Sequence, residues 1–323
     1  MRALVTGGAG FVGSHVTDAL VARGAEVLVV DDLSRGNVGN LKWALSHGAD
    51  LVGEDVRSAA AVRQIVQRFR PDVVFHLAAQ VSVHCSIADP VTDAEHNVVG
   101  VVSVLAASAA AGVRRVVLSS TGGAIYGESA DYPTPEGTAP DPPSAYGLAK
   151  WVGERYGRWF AETTDIDVVA LRYSNVYGPR QSLDGDSGVV LRFCAAALER
   201  RPPIIYGDGM QTRDFVYVDD VAESNIAAAL CHTHRFGEYN VGTGVEITVN
   251  GLVDAIRTAA GLQQSGWLPQ YAAARVGEVR RSCLDVARAR AERIMAPATA
   301  LPNGIERTLN WLRDARASLV PTV

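Results

Sequence analysis

With 323 residues, 48% of them apolar and 20% charged, the chain can form one large α/β unit or two domains, and its composition excludes disordered, collagen-like and fibrous classes. Thirty basic against 35 acidic residues leave a formal charge of −5, so no nucleic-acid-binding or anionic-membrane surface is expected, and any phosphate must meet a local site. The four cysteines, Cys85, Cys194, Cys231 and Cys283, stand singly, without the spacing of a zinc site or a redox dithiol. They read as reduced packing residues, and no metal is expected.

Arg2 to Thr6 reads as a strand at the very start, without the charged and apolar regions of a signal peptide, so a cytoplasmic protein is expected. Further β-branched runs follow at Glu26 to Asp31, Asp50 to Gly53, Asp72 to Leu77, Arg115 to Ser119 and Asp167 to Arg172, alternating with Ala-rich helical stretches. Joined by right-handed crossovers, they predict an α/β fold with a Rossmann-type doubly wound parallel sheet. The uncharged stretch from Asn97 to Val113 is rich in Ala and Ser and too short for a bilayer, so it reads as a buried helix. Beyond residue 175, Gly178-Pro179, Arg201-Pro202-Pro203 and Gly207-Asp208-Gly209 break the pattern into shorter elements. A first domain over 1–175 and a smaller lobe over 176–323 are expected. The chain would return to the first near 213–243, through a strand at Asp214 to Val218 and a helix at Asp219 to Leu230.

Two constellations carry chemistry. After the first strand comes Gly7-Gly8-Ala9-Gly10-Phe11-Val12-Gly13, then a helix from Ser14 to Arg23. Gly7, Gly10 and Gly13 are spaced for a tight turn, close backbone approach to a diphosphate, and helix–sheet packing, which predicts a dinucleotide. The second strand ends at Asp31-Asp32, where a carboxylate can accept from the adenosine ribose and repel a 2′-phosphate. That favours NAD, while Arg35 is the residue that could accommodate the phosphate of NADP. The second constellation is Tyr146-Gly147-Leu148-Ala149-Lys150, a phenol and an ammonium on one helical face. A lysine neighbour and a cationic nicotinamide would favour the phenolate and make Tyr146 a base. Ser119-Ser120-Thr121 ends the fifth strand, where open α/β sheets meet their ligands, and offers a hydroxyl to the same substrate oxygen.

These residues resemble the extended short-chain dehydrogenase/reductase family and, within it, the UDP-glucose 4-epimerase group. The likeness runs through Thr6 to Gly13, Leu77 to Gln80, Ser119 to Gly127, Tyr146 to Lys150, Arg172 to Arg180, Gly207 to Val218 and Arg275 to Glu278. It implies Tyr146 as base, Lys150 on the nicotinamide ribose, and Thr121 or Ser120 on the sugar's 4-hydroxyl. Gly7, Gly10, Phe11, Val12, Gly13, Asp31, Asp32, Ser34, Arg35, Gly36, Asp55, Val56, Leu77, Ala78, Ala79, Gln80, Asn97, Ser119 and Tyr173 are implied around NAD. Asn175, Val189, Arg192, Ile205, Tyr206, Gln211, Arg213, Arg275 and Glu278 are implied around a UDP-sugar. Ile204, with Ile205 and Tyr206 of that set, would form the wall against uracil. The resemblance also implies a homodimer through the helices at Ala94 to Ala111 and Tyr146 to Phe160.

The family oxidises a sugar at C4 and then diverges. Dehydratases and decarboxylases carry acidic residues shortly before the position of Ile125-Tyr126-Gly127, whereas this chain has Gly122-Gly123-Ala124. Epimerisation is the expectation, elimination or decarboxylation the alternative, and a non-enzymatic NAD sensor a third reading. Arg192 stands where the family has an aliphatic residue near the sugar. It either meets the carboxylate of UDP-glucuronate or turns outward into water. Arg213 either holds the diphosphate or forms a surface ion pair with Asp214. Ser282 is small where some of these enzymes place a tyrosine against the sugar's 2-substituent, leaving room for an N-acetyl group.

Overall fold

A computed structural model describes residues 1–129, 131–183, 188–232, 235–274, 279–296 and 298–317. The first part of the chain runs β1 (Arg2–Thr6), α1 (Phe11–Ala22), β2 (Glu26–Val30), α2 (Lys42–Ser46), β3 (Asp50–Val52), α3 (Ala59–Phe69), β4 (Val73–His76), α4 (Val83–Ala88), α5 (Pro90–Ala94), α6 (Gly100–Ala110), β5 (Arg115–Thr121), α7 (Gly122–Ile125), α8 (Ala145–Thr163) and β6 (Asp167–Tyr173). It continues with β7 (Asn175–Tyr177), α9 (Val189–Leu198), β8 (Ile204–Tyr206), β9 (Thr212–Arg213), β10 (Phe215–Tyr217), α10 (Val218–Leu230), β11 (Phe236–Val241), β12 (Ile247–Thr248), α11 (Val249–Ala259), β13 (Gln270–Ala272), α12 (Ala287–Ala291) and α13 (Leu301–Ala317).

The expected doubly wound sheet is present, with seven parallel strands in the order β11-β6-β5-β4-β1-β2-β3. Its central strands are apolar on both faces because helices cover both. On one side Val16, Leu20, Phe75, Val221 and Tyr239 pack together, and on the other Val66, Val104, Leu105, Phe160 and Val168. The Asn97 to Val113 stretch contains α6, whose Val104 and Leu105 are wholly buried.

The seventh strand, β11, escaped the sequence reading. Its sequence, Phe-Gly-Glu-Tyr-Asn-Val, mixes polar residues and a glycine into a sheet edge, which hides the β-branched signal. The strand and helix read near Asp214 to Leu230 are β10 and α10, but β10 pairs with β7 in a separate two-stranded sheet. The chain returns to the large sheet through α10, which packs against α1, β5 and β6, and through β11, which joins it as an edge strand. Beyond it, α9, α11 and α13 close over Leu191, Phe193, Leu252, Ile256 and Leu309 as a second core beside the pairs β8–β13 and β9–β12.

Candidate active site

The site begins where β1 turns into α1. Gly7 has φ +69°, and a Cβ there would stand 2.5 Å from the Ala78 backbone nitrogen, so only glycine lets β1 and β4 close the groove floor. A Cβ on Gly13 would lie 2.1 Å from the Gly7 carbonyl oxygen. The glycines thus let β1, β4 and the first turn of α1 pack backbone to backbone, at the N-terminus of α1 where backbone N–H groups favour an anion. From this glycine cradle a groove of about 1160 Å³ extends along the C-terminal ends of the strands. It exceeds the roughly 300–1,000 Å³ of common ligand pockets.

The groove brings together Gly7, Gly10, Phe11, Val12, Gly13, Asp31, Asp32, Ser34, Arg35, Gly36, Asp55, Val56, Leu77, Ala78, Ala79, Ser119, Thr121, Tyr146, Lys150, Tyr173 and Asn175. Asp31 is buried at the tip of β2, where its carboxylate accepts from the backbone N–H groups of Ala9 and Leu33, each at 2.9 Å. Burial nevertheless pushes its pKa up. Asp32 is exposed and caps the turn, accepting from Ser34 N and Oγ at 3.0 and 2.6 Å. The glycine cradle followed by a carboxylate at the end of the second strand fits the diphosphate and adenosine ribose of NAD. Gln80 and Asn97 do not line the groove. They bond to each other behind it, Gln80 N to Asn97 Oδ1 at 3.1 Å and Asn97 Nδ2 to the Gln80 carbonyl at 2.9 Å.

At the other end of the groove, Ser144 caps α8 by accepting from Gly147 N, and the helix then presents Tyr146, Lys150 and Glu154 on one face. Lys150 is 6% exposed and donates to the Ser119 carbonyl at 3.1 Å. Burial pulls its pKa down to about 8, against the pull of Asp93 and Glu154. Its ammonium sits 6.0 Å from the centroid of the Tyr146 ring.

The Tyr146 hydroxyl shares a hydrogen bond with the Thr121 side chain. Burial and the charge of Asp93 push the phenol up to about 12, and the Thr121 bond offsets them only in part. The lowering expected from Lys150 is therefore not what the chain alone delivers. A phenolate at neutral pH requires a further positive charge against the ring.

The neighbouring hydroxyls have different partners. Thr121 faces Tyr146, whereas Ser120 is buried and donates to Glu154 Oε1 at 2.5 Å. Glu154 in turn holds Arg172, whose Nη2 lies 2.6 Å from Oε2 and whose Nη1 donates to Tyr126 Oη at 2.8 Å. This buried pair lies behind the strand tips that carry Ser119 and Thr121. Across the site, a Cβ on Gly123 would find Asn175 Oδ1, Ser282 Oγ and Thr121 Oγ1 at 3.9–4.0 Å, none of them acidic. Asn175 Oδ1 is buried with no partner among the described residues.

The remaining substrate candidates among the described residues do not line the groove. Ile205 is 1% exposed and packs in the second core, so its side chain cannot be part of a uracil wall. In a strand, alternate side chains face opposite sides, and Ile204 and Tyr206 are the ones that face outward. Gln211 is buried and donates to the Tyr206 carbonyl at 2.8 Å. Arg213 donates to the Thr212 carbonyl at 2.7 Å. The surface pairing of Arg213 with Asp214 is excluded, because Asp214 is wholly buried and accepts from Thr243, Gly244 and Leu284. Val189 opens α9, and Arg192, one turn on, is half-buried. Arg275 and Glu278 lie outside the described residues.

Groove residues the sequence reading missed include Arg180, Gln181, Ser182 and Trp311. Arg180 follows Gly178-Pro179 with φ +68° and bonds Asp18 of α1 at 2.6 Å, tying the loop after β7 to the cradle helix. Its glycine-proline turn was visible as a breaker, but the partner on α1 was not. Among the described residues no helix is long and apolar enough to cross a membrane, and no three His, Cys, Asp or Glu side chains gather as metal ligands.

Known proteins share this sequence and fold. The chain is 42% identical to a UDP-glucose 4-epimerase of Mycolicibacterium smegmatis over 97% of its own length and 99% of the relative's. It superposes with a TM-score of 0.92 and 40% identity on the crystal structure of UDP-glucose 4-epimerase with UDP-glucose from Thermotoga maritima, covering 98% of this chain and 100% of that one. A Thermus thermophilus UDP-glucose 4-epimerase in complex with NAD gives 0.88 at 38% identity, with the same coverage. Residues 3–242 match the NAD dependent epimerase/dehydratase family, and the chain belongs to that family.

Proposed function

We propose that this chain is an NAD-dependent isomerase that inverts C4 of a UDP-hexose, with UDP-glucose as its sugar nucleotide. The observation that carries the reading is the meeting of Tyr146, Thr121 and Lys150 at the end of a dinucleotide groove. The chain matches UDP-glucose 4-epimerases along nearly its whole length.

In this reading, bound NAD supplies the hydride acceptor and, once reduced, the hydride donor, together with the positive charge that favours a phenolate at Tyr146. Tyr146 Oη takes the proton of the 4-hydroxyl while C4 is oxidised to the ketone. Thr121 Oγ1 hydrogen-bonds the same oxygen. Lys150, aimed by the Ser119 carbonyl, binds the nicotinamide ribose. After the 4-keto sugar turns its other face, Tyr146 returns the proton as C4 is reduced. Protons and electrons therefore balance within one cycle. The nearest described side-chain atoms to a Cβ at Gly123 are those of Asn175, Ser282 and Thr121, amide and hydroxyl groups that suit a ketone reduced again.

The substrate assignments follow the same reading. Asn175 and Arg213, with Arg275, hold the diphosphate, Glu278 the ribose, Ile204 and Tyr206 the base, and Gln211 supports Tyr206. Residues 1–175 serve mainly the dinucleotide and 176–323 mainly the sugar nucleotide. The chain acts as a homodimer through the helices at 94–111 and 146–160, on which Val99, Leu148 and Trp159 stay exposed. Four free cysteines, one of them exposed, suit the reducing cytoplasm.

The test is incubation with UDP-glucose, UDP-glucuronate and UDP-N-acetylglucosamine, with C4 stereochemistry read by NMR. Inversion of UDP-glucose is expected. Loss of water or carbon dioxide, or NAD binding with no turnover, would overturn the reading. Arg192→Ala is expected to leave the preference for glucose over glucuronate unchanged.

A further inference from the structure

Asp93 is a buried carboxylic acid that the reaction above leaves without a role. It sits in α5, a helix started by Asp89 accepting from Thr92 N and by Pro90 in its first turn. A π-helical turn over Glu95–Val99 follows, a distortion that recurs at functional sites. It turns Asn97 inward, to 1% exposure. Asp93 Oδ1 then accepts from Gln80 Nε2 at 2.8 Å and from Asn97 Nδ2 at 2.9 Å. Together with the Gln80–Asn97 bonds, this closes a ring between the π turn and the segment after β4 that lines the groove.

One oxygen of Asp93 makes the whole clamp. The other, Oδ2, is buried with no partner among the described residues. An asparagine carbonyl could accept the same two bonds without burying a charge, so the clamp alone does not account for a carboxylate. Burial raises the pKa of Asp93 itself, against the hydrogen bonds of Gln80 and Asn97 and the charge of Lys150, and its carboxylate in turn favours the Lys150 ammonium and opposes ionisation of Tyr146. Other ionisable groups on the surrounding elements are His84 and Cys85 of α4, Glu95 and His96 of the π turn, Glu154 of α8 and His76 at the end of β4.

We propose that Asp93 is a positioning residue that clamps the groove segment through Gln80 and Asn97 and keeps a negative charge beside the Tyr146–Lys150 couple, setting the pH range in which that couple works. The proposal rests on the reading of Tyr146 as base.

The test uses the holoenzyme and the variants Asp93→Asn, which keeps the clamp without the charge, and Asp93→Ala, which removes both. For Asp93→Asn the melting temperature is expected to stay near wild type. Both limbs of the kcat–pH profile should move to lower pH by about one unit, since the phenol and the ammonium each lose a nearby anion. Asp93→Ala should show the same shift together with faster loss of NAD. If Asp93→Asn does not fold, Asp93→Ser supplies a neutral acceptor for the same profile. Limbs that stay in place in a folded neutral variant would overturn the proposal and reduce Asp93 to a clamp. Tyr146→Phe is run in parallel. If it is inactive at every pH, a failure at Asp93 belongs to this proposal alone, whereas an active Tyr146→Phe removes the base reading and this proposal with it.

Discussion

Around the dinucleotide groove, the polar side chains nearest the strand ends are bound to other parts of the chain and shielded from water, while Asp32 at the rim stays exposed. Asp31 accepts two backbone N–H groups, Lys150 donates to Ser119, and Glu154 holds Arg172 and Ser120 together. Near the smaller lobe the ion pairs are of another kind. Arg280 meets Asp208 and Arg281 meets Glu246 between side chains that are about half exposed, apart from the partly covered Glu246. The local strands there are two or three residues long. The first region presents a fixed surface to a cofactor used in every cycle. The second is built from short segments around its own apolar core, with charge left at its rim. Charge removal should therefore be costly in the first region and nearly silent in the second.

The sharpest test of the first region is Tyr146→Phe, which removes one oxygen that shares a hydrogen bond with Thr121. Turnover of UDP-glucose should fall by about 10³-fold, within the range for loss of a general base, with the melting temperature near wild type. Glu154→Ala asks instead what the buried pair contributes to the fold. It strands the Arg172 guanidinium, which is 6% exposed, and takes away the acceptor of Ser120. Breaking a buried pair from one side costs about 3–5 kcal/mol, so the urea midpoint should drop strongly at unchanged slope. A small loss would break the contrast between the regions.

A gentler probe is pH. His76 is 1% exposed, its Nδ1 lies 2.8 Å from Thr6 Oγ1, and burial with the nearby Lys150 charge holds its pKa down at about 3. Unfolded, it would take up a proton near 6.5. Between pH 6.5 and about 3 the unfolded chain therefore binds more protons, and stability falls with pH by up to about 1.4 kcal/mol per unit from this residue. Asp31, Asp93 and Asp214, whose pKa values burial raises, act in the opposite direction near pH 4. They do so in wild type and in His76→Asn alike, so the difference isolates the histidine. Melting curves of His76→Asn should lose stability less steeply than wild type on acidification from pH 6.5 to 4.

How much of this was legible beforehand follows the same division. The glycine loop, the acid at the end of β2 and the Tyr146–Lys150 spacing could be read because each is a local pattern along one strand–turn–helix unit or one helix face. The choice between Ser120 and Thr121 could not, since adjacent residues in a strand face opposite sides and the register depends on pairing with β6. Glu154 and Arg172 are close only after α8 packs on the sheet. Ile205 failed as a wall residue for a related reason: in so short a strand, the choice of which alternate residues enter the core is made by tertiary contacts with α9 and α11. Asp93 and the π turn carried no signal, because a single acid in an Ala-rich helix reads as surface.

Asp208→Asn is the smallest perturbation and tests the other half of the contrast. The carboxylate meets both terminal nitrogens of Arg280 at 2.8 Å, a geometry that would matter in a dry site. Here both side chains are more than half exposed, and the pairing that lowers the Asp208 pKa to about 2 operates in contact with water. Water solvates either charge well when the partner is lost, and salt screens what attraction remains. The melting temperature of Asp208→Asn should match wild type at physiological salt and show the same response to added salt. A clear loss that high salt abolishes would mean that the rim pairs help hold the smaller lobe together. The two regions would then differ in exposure but not in their dependence on charge.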